Sequence, residues 1–347
     1  MTTERELYNA AMDLEEQERP VATTLTLLTE NMFMEAEESP VGVFDRPESL
    51  AKLAKYGHDA FGFDSCEIFN IWSHTEYLGG KVNYAAEQPS VINHPYTLED
   101  DFVMPDLDKY VDDPRTRISI DGCRILRQMA GDDTAVNCIN SWGPLTTAGH
   151  LIGTEEVMMG LLMDPDNITR LLKFINEFNV KAYTLELNAG QADYIDTLSM
   201  AEPSATGDMI DTDTFRTFVL PYVSKEHKAM HDAGVKTMLH ICGNTVANLP
   251  SMIECGSDAI SVEQTVDPTT VCDIARGKVA MFGNVGPVDP LWQGTPETVK
   301  AAVNRSIDGG FRLIAPGCSF SPRTPDENLI AMAQAVKESK KSFAKNQ

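Results

Sequence analysis

The run TMLHICGNT, residues 237–245, places His240 and Cys242 two apart at the end of an apolar stretch. Side chains two apart on a strand leave by the same face, so imidazole and thiol look the same way. Alone, the pair admits two readings: half of a metal site, or two core residues, since cysteine is among the most buried residue types and histidine often satisfies a core hydrogen bond. Two further residues favour the first. Glu263 ends AISVE and Cys318 follows RLIAPG, so each closes another β-type run. If these runs share one barrel, His240, Cys242, Glu263 and Cys318 emerge on one rim. Two thiolates and an imidazole suit zinc far better than magnesium or calcium. Such a centre is electron-rich and poor at making hydroxide. It is suited to holding a substrate thiol, whose ordinary pKa is about 8.5, as a thiolate.

The elements needed to position these residues are legible. Short β-type runs lie at 21–27, 65–70, 135–141, 192–199, 236–242, 258–263, 279–285 and 311–317. Helical patterns alternate with them, notably over 211–234, 295–310 and 324–343. The second of these begins with Thr-Pro and stops on two glycines. Strands followed by helices signal a parallel sheet, and eight of them predict an α/β fold, a (β/α)8 TIM barrel. A helix is expected over 1–20 as an N-terminal extension. Residues 72–134, acidic and proline-bearing, are expected to form an elaborated loop region over one face. No linker divides the chain, so 1–347 is expected to be a single domain.

The 347 residues are 42% hydrophobic and 23% charged, ordinary for a globular protein. The net charge is not: 52 acidic against 28 basic residues give −24. That surface repels nucleic acid and anionic membranes, so neither is expected as a partner. The N-terminus has no basic and apolar regions of the signal-peptide kind, and no apolar run is long enough to span a bilayer. Seven cysteines without framework spacing fit a reducing compartment, with the cytoplasm as the expected location. Cys66, Cys138, Cys255 and Cys272 read as structural, and the 16 methionines as core filler.

The segments LHICGN, GSDAISVEQ, GNVGP and APGCSFSPRTPDENL resemble the uroporphyrinogen decarboxylase superfamily, and within it the methylcorrinoid:coenzyme M methyltransferases. EQPSVINHPY and SWGPLTTA extend the resemblance, which runs from about residue 20 to the end. The His-x-Cys and distant Cys pattern resembles the zinc site of these thiol-alkylating enzymes. Glu263 is similar to the extra ligand of cobalamin-independent methionine synthase. The decarboxylases carry an N-terminal arginine-rich motif for tetrapyrrole carboxylates, whereas RPVATTLTLLTENMFMEAEESP has only Arg19.

The resemblance implies a zinc-dependent methyltransferase in which a zinc-bound thiolate attacks methyl-Co(III) of a corrinoid (cobalamin) carried by a partner protein. Coenzyme M is the implied thiol. Glu263, the one oxygen ligand, is expected to yield to it. Ser319 and Arg323, before a helix N-terminus, are candidates to meet its sulfonate, although Arg323 could instead pair with Asp326 or Glu327; Asn244 is a further candidate substrate contact. His94, Tyr96, Asp193 and Glu202 are candidate contacts at the mouth. Rival readings are a corrinoid protein:tetrahydrofolate methyltransferase or demethylase, a uroporphyrinogen decarboxylase, and a non-catalytic corrinoid-protein binding module with a structural zinc clamp.

Overall fold

The computed structural model describes residues 2–26, 29–39, 42–84 and 89–346. Its main sheet has eight parallel strands: β1 Val21–Ala22, β2 Ser65–Phe69, β3 Ala135–Trp142, β4 Thr197–Ala201, β5 Lys236–His240, β6 Ala259–Val262, β7 Ala280–Val285 and β8 Leu313–Pro316. Neighbours in sequence pair from β2 through β8, and β8 pairs back to β1. The expected barrel is what forms.

The seam between β1 and β2 closes through a side chain. The Asp64 backbone N–H donates to Ala22 O at 2.7 Å, and the Asp64 carboxylate accepts the Ala22 N–H at 2.8 Å. Arg19 grips the same carboxylate with both terminal nitrogens, at 2.7 and 2.9 Å. Asp64 is fully buried. Removing one partner of a buried pair typically costs about 3 to 5 kcal/mol, so Asp64→Ala should lower unfolding stability by about 3 kcal/mol in urea titrations. A loss within about 1 kcal/mol would show that the strands hold the seam without it.

The end of the barrel at which the strands begin is plugged. Helix α1, Glu4–Met12, starts on a capping box of Thr3 and Glu6 and buries Leu7, Tyr8, Ala11 and Met12 against inward residues of the strands, among them Ala135, Met238 and Leu313. It is shorter than the expected 1–20 helix, whose Met1 lies outside the described residues. Glu15, Glu16 and Glu18 would have put negative charge on the negative end of the helix dipole, and Leu14 turns left-handed instead, at φ 54°.

Other expectations need correction. The fourth strand starts at Thr197, not 192, because residues 191–193 form a single helical turn. Asp196 is tied there to Arg5 and Arg127, both at 2.6 Å. The helix expected over 211–234 breaks at Val219 into Thr212–Phe218 and Leu220–Asp232, since Pro221 has no N–H to continue the ladder. The last helix stops at Glu338, leaving Lys340 and Lys341 beyond it. The 21–27 run yields strand only over Val21–Ala22; Leu27 lies outside the described residues.

The 72–134 region is half right. An antiparallel ribbon, Val82–Asn83 with Ser90–Val91, lies over β2 and β3; residues 85–88 lie outside the description. Pro114–Ala130, however, is a 17-residue helix. Its polar composition hides an apolar stripe that includes Ile118, Cys123 and Leu126.

One buried group sets an acid limit on the fold. His227, 1% exposed, has no hydrogen-bond partner for either ring nitrogen among the described residues. Burial and then His231 push it down to about 3. Unfolded histidine titrates at about 6.5, so the unfolded state binds the extra proton between these values. Stability from this group is therefore present above about 6.5 and lost as pH falls toward 3. His227→Leu should remove about 2 kcal/mol of the stability difference between pH 7 and pH 5. Parallel slopes of stability against pH for both proteins would contradict this.

Candidate metal centre

The site is assembled by two strand ends. On β5, Met238 and His240 face inward; Ile241 is buried outward, and Cys242 follows just past the strand. Gly243 then turns at φ +71°, where a Cβ would meet Thr206 Oγ1 at 2.5 Å and Asp208 Oδ2 at 2.7 Å. The tight turn therefore requires glycine and keeps Cys242 over the axis. From β8, Gly317 donates its N–H to Val285 O at 2.7 Å and delivers Cys318 to the same point.

His240 Nε2 lies 3.1 Å from Cys242 Sγ, which lies 3.4 Å from Cys318 Sγ. All three ligand-type atoms fall within 4.8 Å of one another. In tetrahedral zinc sites, with bonds of about 2.0 to 2.3 Å, such atoms sit about 3.5 to 3.8 Å apart. An expansion of a few tenths of an ångström would fit the ion. His240 is 4% exposed and both cysteines are half-buried, so one side of the cluster stays open. Its Nδ1 is 2.9 Å from Ser261 Oγ on β6, which fixes the ring with Nε2 toward the thiols.

The electrostatics suit a cation. Without one, the two thiols share a proton: the hydrogen bond from Cys242 pulls Cys318 down to about 4, while Cys318 pushes Cys242 up. His240 and the Ser319 backbone N–H also favour the Cys318 thiolate.

Glu263 is adjacent to the cluster. Its Oε2 accepts the Gly243 N–H at 3.0 Å, and burial, with Cys318 beside it, pushes its carboxyl up. The three nitrogen and sulfur donors come together without it.

The remaining candidates are scattered. Ser319 and Asn244 are exposed on the two loops flanking the cluster; Asn244 bonds through its backbone to Asp208, at 2.9 Å. Arg323 is 59% exposed and pairs with Glu30 at 3.4 Å. His94 bonds the carbonyl of His150 at 3.1 Å. Tyr96 packs edge-on against Phe102 and Phe174, a structural contact. Asp193 is exposed before β4, so it lies at the opposite end of the barrel from the mouth. Glu202 is fully buried rather than lining the mouth. It accepts the backbone N–H groups of Leu145 and Thr146 at 3.0 and 2.6 Å, at the start of the helix Pro144–Ile152, and burial pushes it up to about 7.

Two features escaped sequence reasoning. Ser261 was findable: it sits two residues before Glu263 and so shares its face. The other is an aromatic wall from the ends of β2 and β3, across the mouth from the cluster. Trp72 and Trp142 meet at 5.0 Å between ring centroids, each 5.3 Å from His150. Ile71, Ile139 and Ala201 back this wall. Nothing in the spacing of these residues announces it.

Comparison with known proteins places this geometry. The family model for Uroporphyrinogen decarboxylase (URO-D) matches residues 3–339. The methylcobamide:CoM methyltransferase MtbA of Methanosarcina acetivorans is 33% identical over 346 residues, 98% of each chain. The MtbA of Methanosarcina mazei is 34% identical over 298 residues, 84% of each chain. A solved structure titled as a methyltransferase from Methanosarcina mazei superposes with a TM-score of 0.86 at 25% identity, covering 97% of this chain and 99% of that one. The chain belongs to the uroporphyrinogen decarboxylase (URO-D) family, and within it to the group of the methylcobamide:CoM methyltransferases.

Proposed function

We propose that this protein is a zinc-dependent methyltransferase that moves a methyl group from a methylated corrinoid protein to a thiol, with coenzyme M as the thiol. The observation that carries this reading is the His240–Cys242–Cys318 cluster at the open end of the barrel, in a chain whose relatives are named for that transfer. We take the whole of 1–347 as one catalytic unit. The seven free cysteines support a reducing, cytoplasmic setting. Among the described residues no helix is long and apolar enough to cross a membrane.

A zinc ion held by these residues would keep the substrate sulfur deprotonated at neutral pH and nucleophilic toward the methyl group. His240, Cys242 and Cys318 hold the ion in this reading, and Ser261 fixes the imidazole. Glu263 is the displaceable oxygen donor, parked by the Gly243 N–H. The Trp72–Trp142 wall keeps water from the opposite side of the mouth, where the methyl donor arrives. Arg323 and Ser319 remain the proposed contacts for the sulfonate, and Asn244 a further substrate contact, because all three stand exposed at the rim on the Cys318 and Cys242 loops.

The decarboxylase reading fits less well. The lone arginine of the N-terminal segment, Arg19, is committed to Asp64 at the barrel seam and is not offered to a substrate carboxylate.

The test is an absorbance assay with methylcob(III)alamin and a panel of thiols, before and after chelation. Thiol-dependent loss of the methyl–cobalt band, abolished by chelator and restored by zinc, is the expected result. Transfer that survives complete metal removal would overturn the reading.

A further inference from the structure

The aromatic wall depends on an irregularity in β3. Val136 and Cys138 face outward and Ile139 faces the mouth, so strict alternation would send Trp142 outward. It does not, because the register against β4 slips. Ile139 lies opposite Ser199, and Ser141 opposite the very next residue, Met200. Asn140 is the extra residue of a bulge, and a one-residue slip exchanges the two faces. Ser141 therefore points outward, where its hydroxyl meets the Tyr183 hydroxyl, and Trp142 turns in against Trp72.

A buried carboxylate outside the barrel holds this bulge. Glu186, on the helix Pro165–Asn188, is fully buried. One of its oxygens accepts the side-chain amide of Asn140. The other lies 3.2 Å from His74 Nε2 and accepts the Tyr110 hydroxyl at 2.5 Å. His74 Nδ1 in turn is 3.1 Å from Asn179 Oδ1, on the same helix as Glu186. His74 stands two residues after Trp72, and Asn140 two before Trp142. A single side chain thus ties down both strand ends that carry the tryptophans. Three donors converge on a group suited to accept, and converging buried hydrogen bonds rigidify what they join.

We propose that Glu186 is a positioning residue for methyl transfer: through Asn140 and His74 it sets Trp142 against Trp72 on the side of the mouth where the methyl donor arrives. The proposal rests on the reaction read above. Glu186 acts on the encounter with the donor and leaves the thiol side untouched, since His240, Cys242 and Cys318 stand at the ends of β5 and β8, not of β2 and β3.

The test compares full-length Glu186→Ala, Glu186→Gln and Asn140→Ala with the wild type. The first readout is the exciton couplet of the Trp72–Trp142 pair in circular dichroism, with Trp142→Phe as the baseline. The second is the dependence of transfer on methylcob(III)alamin and on thiol, measured separately. Both alanine variants should lose most of the couplet. Their kcat/KM for methylcob(III)alamin should fall by about a hundredfold, the order expected for a displacement of about 1 Å. The KM for thiol and the zinc content should stay at wild-type levels. Glu186→Gln should restore both readouts, because Asn140 Oδ1 has no partner among the described residues and can turn to accept the new amide. Asn140→Ala carries the test alone if Glu186→Ala does not fold. A folded alanine variant that keeps either the wild-type couplet or the wild-type donor dependence would overturn the positioning role. Absent transfer in the wild type would instead sink the reaction reading, while the couplet still reports whether Glu186 sets the wall.

Discussion

Cys242→Ala is expected to lose bound metal and methyl transfer together. Zinc bound by a full set of protein donors is held by about 10 to 16 kcal/mol. One of three or four donors therefore accounts for roughly 3 kcal/mol, or about two orders of magnitude in affinity. Activity should fall further, by about a thousandfold, because a centre that retains metal with one thiolate is less electron-rich toward sulfur. The fold should survive: Cys242 is half-buried on a loop and outside the core clusters. Cys255→Ala is the control. That thiol is buried and donates to Ser251 O at 3.4 Å, so its loss should lower stability and leave zinc content at the wild-type level. Metal analysis with the corrinoid assay checks both variants. A Cys242→Ala protein that keeps metal and activity would return His240 and Cys242 to the status of core residues.

Glu263→Gln should separate binding from transfer. Glutamine keeps the size and still accepts the Gly243 N–H, which now meets Oε2 at 3.0 Å, but it loses the charge. If the carboxylate yields its place to the thiol, a weaker donor there should tighten thiol binding by about tenfold. The less negative centre should meanwhile slow methyl transfer by about tenfold to a hundredfold. Zinc should stay, held by His240, Cys242 and Cys318. Calorimetric titration of the thiol and single-turnover rates report the two effects. Loss of zinc in this variant would make Glu263 a permanent ligand; no change in either quantity would remove it from the site.

What could be read ahead of the structure was decided by short-range geometry. The two-residue period of a strand put His240 and Cys242 on one face, and the strand ends bearing Glu263 and Cys318 placed them on the same rim. The barrel followed from eight β-type runs alternating with helical patterns, of which the later ones, such as 295–310, are bounded by proline and glycine. The expectations that failed depended on partners far away in sequence. Asp193 is expected at the mouth as part of the loops around the fourth strand, but Asp196 is held by Arg5 and Arg127 at the closed end, and the strand begins only after it. Glu202 does follow β4, yet two backbone N–H groups draw it inward. The Trp72–Trp142 wall joins residues seventy apart, from the ends of β2 and β3. Patterns within one element cannot announce that grouping; only pairing of the two strands brings the rings together.

In the proposed reaction a metal at His240, Cys242 and Cys318 takes the substrate sulfur as an added neighbour. X-ray absorption at the zinc edge, recorded on the protein with and without coenzyme M, reads this change in the metal's own surroundings. Two sulfur neighbours are expected in the resting protein and three with the thiol, with one oxygen neighbour lost. An unchanged set of neighbours at saturating thiol would contradict it.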